Sequence, residues 1–262
     1  MRIITCIKQV PASSNVLVDP KTGVLIRDGF NVKMNPYDLY ALELSFMIKE
    51  RTKGTVHTVT MGPPSAKEVL YESVYMGADD ATLVSDRAFA GADVLATSYT
   101  LSQLIEHIKM YDVVICGKQT TDGDTAQVGP EIAEFLNIPH VPYVVEILEL
   151  KKDSLIVKSL YDTHEEVVSV STPCLLTVEK GDFVPRLPSF NLKKAKKDLN
   201  IKTVTLKDLS DDNKLHYGLN GSPTQVEEIF PPAKKSGSIL IEGDTRKVSE
   251  KMFEILTKEK FL

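Results

Sequence analysis

The densest set of groups able to hold a ligand follows a short apolar run. Val113-Val114-Ile115-Cys116 leads directly into Gly117-Lys118-Gln119-Thr120-Thr121-Asp122-Gly123-Asp124-Thr125-Ala126-Gln127-Val128-Gly129. Glycine at 117, 123 and 129 lets backbone N–H groups come close to anionic oxygens. The hydroxyls of Thr120, Thr121 and Thr125 are further donors. Ile132, Ala133, Phe135 and Leu136 then recur at helical spacing, and a helix N-terminus adds partial positive charge. That combination suits a phosphate or nucleotide, and the competing reading is an ordinary strand-to-helix turn. The segment is neither Gly-x-Gly-x-x-Gly nor a P-loop. Asp122 and Asp124 are poor neighbours for a phosphate and read as capping and turn residues rather than as catalytic ones. Pro130 leaves two helix starts open, one near itself and one at Thr125 with a kink.

Other chemistry finds little footing. The five histidines, His57, His107, His140, His164 and His216, include no His-x-x-x-His pair, so no metal site is expected. No Gly-x-Ser-x-Gly elbow is present. Cys6, Cys116 and Cys174 form no Cys-x-x-Cys and read as buried thiols of a reducing compartment. Two more segments leave strand-like runs, Lys8-Gln9-Val10-Pro11 and Met61-Gly62-Pro63-Pro64. Gly221-Ser222-Pro223-Thr224 is a compact turn, either ligand-facing or structural. The lysines of Lys193-Lys194-Ala195-Lys196-Lys197 form either a solvated face or a docking patch for an acidic partner.

These segments must be positioned by the elements between them. Ile3–Ile7 reads as a buried strand, with a hairpin expected around Asp19-Pro20-Lys21-Thr22-Gly23. Asn35 is expected to cap a helix with Pro36 in its first position, running to about Arg51. Strands follow at 56–60, 81–84 and 111–116, and helices at 65–75 and 92–109. Ser65 is the expected cap of the first of these helices, and Gly77 its stop. Alternation of this kind is the signature of a doubly wound, mostly parallel α/β sheet. Ligands in such sheets lie beyond the carboxyl ends of the strands at the topological switch point, which is where the three segments fall. From 141 to 178 the runs shorten into what reads as added antiparallel strands. After Gly181 periodicity fades until Val248–Leu256, so an arm that wraps another protein, or a set of functional loops, is expected there.

Bulk properties agree. The chain has 262 residues and a net charge of −5, with 42% hydrophobic and 26% charged residues. Bulk disorder is excluded, non-specific nucleic-acid binding is disfavoured, and no apolar run is long enough to insert in a membrane. Met1–Cys6 enters a strand-like run at once, without the longer apolar stretch of a secretion signal, and a cytoplasmic location is expected. Residues 186–262 carry 15 Lys/Arg against 11 Asp/Glu, whereas 1–185 carry 16 against 25. The charge asymmetry predicts an α/β core domain over 1–185, followed by a recognition loop and C-terminal arm over 186–262.

Several segments together resemble the beta subunits of electron transfer flavoproteins. They are Ile7-Lys8-Gln9-Val10-Pro11, Met34-Asn35-Pro36-Tyr37-Asp38, Met61-Gly62-Pro63-Pro64, Met76-Gly77-Ala78-Asp79, 116–119 with 122–130, and Gly221-Ser222-Pro223-Thr224-Gln225-Val226. The resemblance implies a Rossmann-like core and an obligate alpha-subunit partner, embraced by a C-terminal arm. It also implies an adenine nucleotide in this subunit: AMP in ordinary members, a second FAD in electron-bifurcating ones. The wording of 122–130 and of 61–64 is similar to the bifurcating group. Its members take hydride from NADH and divide the electrons between ferredoxin or flavodoxin and, through the alpha-subunit FAD, a flavin-containing dehydrogenase. Carried over by position, the nucleotide contacts fall on Cys6, Asn35, Pro36, Tyr37, Asp38, Met61 and each residue from Gly117 to Val128. No side chain is implied as acid, base or nucleophile. A recognition loop before a lysine-rich run is matched by Pro185-Arg186-Leu187-Pro188-Ser189, with Leu187 the implied anchor in the dehydrogenase.

Overall fold

The structure is a computed structural model that describes residues 1–12, 32–227 and 240–262, with the short segments 17–18 and 25–26. In chain order, β1 (Arg2–Cys6), β2 (Gln9–Pro11), β3 (Leu17–Val18), β4 (Leu25–Ile26) and β5 (Val32–Met34) precede α1 (Pro36–Thr52). Then come β6 (Thr55–Met61), α2 (Lys67–Met76), β7 (Asp80–Val84), α3 (Val94–Ile108), β8 (Val113–Gly117) and α4 (Val128–Phe135). The strands β9 (His140–Leu150), β10 (Ser154–Leu160), β11 (Glu165–Ser171) and β12 (Cys174–Val178) follow. Last are α5 (Phe190–Ala195), β13 (Lys202–Val204) and α6 (Thr245–Lys258). The expected turn at Asp19–Gly23 lies outside the described residues, between the antiparallel β3 and β4.

Nine strands form one sheet in the order β11-β10-β9-β12-β8-β1-β6-β7-β13. All pairings from β9 to β13 are parallel, and β10 is antiparallel to both its neighbours. The chain winds outward from β1 through β6 to β7, then returns past β1 to β8. The switch point therefore lies between β1 and β8. This is the expected doubly wound α/β fold with an antiparallel extension. One strand departs from a simple meander: β12 turns back into the sheet and pairs parallel with β8. Its residues Cys174–Val178 are buried throughout, as suits an interior parallel strand.

Period-two alternation divides the strand residues between two cores. Ile3, Val113, Ile115, Leu176 and Val178 face a cluster with Leu42, Phe46 and Val74. Ile4, Cys6, Val114, Cys116 and Leu175 face one with Leu104, Ile105 and Ile132. All three cysteines are buried and free. Two buried hydroxyl pairs join the sheet to the helices above it, Thr5 with Ser45 at 2.7 Å and Thr58 with Ser73 at 2.8 Å. Ser45 and Ser73 donate to the carbonyls of Ala41 and Leu70, so each is left to accept from its threonine.

Helix ends show where local expectations give way. Pro36 holds the first position of α1, but the Asn35 side chain makes no capping bond. Ser65 does not cap α2; it lies within a 3-10 turn, Pro64–Ala66, that leads into the helix. Gly77 ends α2 at φ 135°, a conformation open to glycine. Of the two starts left open for α4, the one near Pro130 is observed.

The compact unit runs from Met1 to Gln225, and residues 226–262 form a second. Within the first, β13 pairs with β7, and Leu206, Leu209 and Tyr217 are buried. Ser222 Oγ accepts the Asp93 N–H at 2.8 Å, and Thr224 donates N–H and Oγ to Asp93 Oδ2 at 3.0 and 2.7 Å. The Gly221–Thr224 turn is therefore a clip on the start of α3. The second unit contains α6, capped by Asp244, which accepts the Lys247 N–H at 2.9 Å. No residue of α6 is buried; Met252 and Phe253 are exposed, at 46% and 62%, and Val248, Ile255 and Leu256 are half-buried. A 14-residue helix with no buried residue is marginal in water. In the isolated full-length chain, hydrogen exchange should therefore show protection at 202–204 and 217 but little at 245–258. Equal protection of both would contradict this division.

Candidate functional site

At the switch point, β1 and β8 end side by side, with Cys6 in register with Cys116. Three stretches converge beyond them: Lys8, the first turn of α1, and the loop after β8. Asn35 joins them. It is fully buried, its Nδ2 donates to Asp38 Oδ1 at 2.9 Å and to the Gln119 carbonyl at 2.8 Å, and its Oδ1 accepts the Thr121 N–H at 3.2 Å. A position expected to cap a helix instead pairs with a loop. The reason is the convergence itself, since that loop offers a carbonyl and an N–H two residues apart.

Asp38 lies beneath this tether and is 4% exposed. Its Oδ2 accepts the Lys8 N–H at 2.7 Å. Burial pushes its carboxyl up to about 7, against the lowering effects of the Asn35 amide, the Lys8 N–H, the Lys8 charge and the Gly117 backbone. Gly117 is required here, because a Cβ would overlap Asp38 Oδ1. Gly129 is required by packing on Thr177. Gly123 differs: among the described residues a Cβ there meets only Thr120 Oγ1, at 3.6 Å.

The loop acidic residues do not cap α4, whose N-cap residue is Gln127 without a side-chain bond. Asp122 pairs with Lys8 Nζ at 2.8 Å, and Asp124 Oδ1 accepts from Gln119 Nε2 at 3.0 Å. Burial raises the Asp122 carboxyl, but the Lys8 hydrogen bond and charge outweigh it, so the net shift is downward. The turn role expected for Asp124 is seen in its N–H, which reaches the Thr120 carbonyl at 2.8 Å. Asp124 and Ala126 take φ of 50° and 59°, the left-handed region that a non-glycine residue seldom occupies.

The structure thus brings Cys6, Asn35, Asp38, Gly117, Gln119, Thr121, Asp122 and Asp124 into one connected group. Pro36 and Tyr37 sit beside it on α1, and Met61 ends β6 one strand over from Cys6. Lys118 turns to Glu179 at 2.6 Å, and Thr125 to Val128 lead into α4. Leu187 lies apart, on the segment before α5. Lys8 lies in a segment the sequence singled out but is not among the expected nucleotide contacts; its tie to Asp38 and Asp122 appears only where the three stretches converge. Two clefts, of about 410 and 330 Å³, lie elsewhere. In the larger, Lys49, Arg186 and Lys196 are each engaged by protein acceptors, so it offers an anion little.

A doubly wound sheet with a side-chain-tethered, glycine-bearing loop at its switch point is an α/β architecture of the kind in which ligands lie beyond the strands' carboxyl ends. The chain is a member of the electron transfer flavoprotein family, whose electron transfer flavoprotein domain matches residues 22–209. It is 42% identical to electron transfer flavoprotein subunit beta of Clostridium acetobutylicum over 262 residues, the whole of both chains. It is 44% identical to the caffeyl-CoA reductase-Etf complex subunit CarD of Acetobacterium woodii over 248 residues, 94% of this chain and 93% of that one. It is 40% identical to protein FixA of Azotobacter vinelandii over 243 residues, 90% and 86% of the two chains. Among the described residues no helix is long and apolar enough to cross a membrane.

The Asp38 shift has a defined sign. The unfolded carboxyl ionises near its ordinary value and the folded one near 7. The folded state holds the proton more tightly, so Asp38 adds stability as pH falls from above 7 toward about 4, and that contribution is lost as pH rises through 7. Urea unfolding between about pH 5.5 and 8.5 should show this component in the wild type and not in Asp38→Asn. Identical pH dependences would contradict it.

Proposed function

We propose that the chain is the beta subunit of a heterodimeric electron transfer flavoprotein of the electron-bifurcating kind. Electrons from NADH enter at the switch-point crevice and are divided between a ferredoxin or flavodoxin and, through the alpha subunit, a flavin-containing dehydrogenase. The observation that carries the reading is the Asn35 tether, which presents 117–124 beyond the ends of β1 and β8. The likeness to a subunit named for a reductase–Etf complex favours the bifurcating form. An FAD held there would supply hydride and one-electron chemistry. The chain's own part is to bind and orient: Gly123 leaves open space for phosphate oxygens, the loop hydroxyls donate, and Lys8 offsets the negative charge of Asp122. The recognition loop and arm expected over 186–262 are proposed to face the partners, with the second unit, 226–262, as the part that packs on the alpha subunit.

Leu187 is proposed as the anchor in the dehydrogenase. It is 86% exposed, so it does not pack within its own subunit's described residues. Its neighbour Arg186 is pinned, with guanidinium bonds to Glu43 and Glu50 and its N–H on Glu43 Oε2 at 2.9 Å. Ser189 N–H binds the Tyr75 carbonyl at 2.7 Å. Fixing both sides of Leu187 lowers the entropy lost on docking.

Three measurements test these readings. The purified heterodimer should hold two flavins, whereas one flavin with AMP would overturn the bifurcating assignment. Gly123→Val, which the surrounding fold can accept, should lose the beta-site nucleotide and keep the alpha-subunit flavin; unchanged content would overturn the loop placement. Leu187→Ala should weaken dehydrogenase binding by about 1–3 kcal/mol. Its reduction by NADH should stay normal while electron delivery falls, and normal delivery at limiting dehydrogenase would rule the anchor out.

A further inference from the structure

One aromatic side chain at the carboxyl end of the sheet is held out by a strained backbone, yet fills neither core. In the parallel ladder of β9 with β12, Val141 pairs with Leu176 and Val144 with Val178. Pro142 and Tyr143 thus oppose the single Thr177, which is a β-bulge. Tyr143 has φ 56°, a left-handed conformation unfavourable for a bulky residue. Two buried hydroxyls secure it. Thr177 Oγ1 accepts the Tyr143 N–H at 3.2 Å, and Ser159 Oγ donates to the Pro142 carbonyl at 2.8 Å. Strain maintained in this way points to a use for the side chain it aims.

The ring's surroundings indicate that use. Among the described residues Tyr143 packs against neither hydrophobic cluster. The Lys118 ammonium lies 5.0 Å from its ring centroid, and that ammonium is fixed by Glu179 at 2.6 Å. Tyr161 supports the ring edge-on at 5.6 Å. Lys118 opens the candidate ligand loop, and Thr177 packs on Gly129 in the first turn of α4. The ring therefore lies at the same end of the sheet as that loop, two strand spacings or about 10 Å from β8. A mononucleotide seated between β1 and β8 falls short of it, whereas a dinucleotide has the reach.

We infer that Tyr143, flanked by Lys118, is a contact residue for the second, ring-bearing half of a dinucleotide whose phosphates lie along 117–128. The inference rests on the proposed nucleotide role of the crevice and adds a determinant that separates a dinucleotide from AMP. Heterodimers carrying wild-type chain, Tyr143→Leu or Tyr143→Phe, freed of beta-site nucleotide with the alpha-subunit flavin retained, are titrated with AMP and separately with FAD. Tyr143→Leu should weaken FAD about tenfold, the size of one lost ring stack, and leave AMP within about twofold. Tyr143→Phe should keep FAD binding, because the ring face remains. Unchanged FAD affinity in Tyr143→Leu, with AMP still bound, would overturn the inference and leave the crevice reading standing. Parallel loss of AMP and FAD in both variants would assign Tyr143 a structural role and equally overturn it. Failure of the wild type to bind either nucleotide would overturn the crevice reading itself.

Discussion

The Asn35 carboxamide is the interaction on which the candidate site depends. An amide inside a protein is unfavourable unless its polar atoms are paired. Here both Nδ2 donors and the Oδ1 acceptor are used, on Asp38, Gln119 and Thr121. The bonds to Gln119 and Thr121 copy the pattern of a neighbouring strand, so the loop is held as though β8 had one more pairing partner. Removing the amide would strand a carbonyl and an N–H as well as the Asp38 carboxyl. Lys8 completes the arrangement from the other side, using its N–H on Asp38 and its ammonium on Asp122. One connected set of polar groups therefore fixes the loop to both the sheet and α1.

Much of this was legible in the sequence because it is written in periodicity. Buried parallel strands appear as apolar runs, and the alternation of strand and helix places the loops at one end of the sheet. Gly77 and Pro36 act through their own backbones, so their roles transfer directly from residue type to structure. What stayed hidden depends on partners remote in sequence. Asn35 is an expected cap until Gln119 arrives beside it, and Asp122 is an expected cap until Lys8 does. Ser65 lost its capping role to the tighter turn that Pro63-Pro64 begins. The return of β12 to the sheet interior was hidden for another reason: a short apolar run shows that a strand is buried but not which strands it pairs with.

Departures from ideal backbone geometry are not scattered evenly. Asp124, Ala126 and Tyr143 all have positive φ, and all lie at the carboxyl end of the sheet around the crevice. Others, such as Lys53 and Lys109, are helix ends, where such a conformation terminates the hydrogen-bond ladder. The first group does not end helices, although Asp124 closes a local turn on the Thr120 carbonyl. A site that must present several groups to one ligand cannot also give every residue its preferred conformation. The strain is tolerated because buried side chains such as Ser159 and Thr177 satisfy the displaced backbone.

Helix α1 links the two proposed functional regions. Its first turn carries Asp38, and a stripe further along, Glu43, Phe46 and Glu50, holds Arg186, whose guanidinium also lies 4.7 Å from the Phe46 ring centroid. Asp38 and Glu43 are five positions apart, about 7.5 Å along the axis. The same rigid element thus positions the ligand loop at its N-terminus and the exposed segment around Leu187 at its middle. Burial of Glu43 is possible only because Arg186 pairs with it, so the display segment is part of what stabilises the helix. On the proposed roles, a substitution that shifts α1 would disturb ligand binding and partner docking together, whereas one at Gly123 or Leu187 acts at a single end. Separate loss of cofactor and of electron delivery is therefore the signature of local change, and joint loss is the signature of displacement of α1.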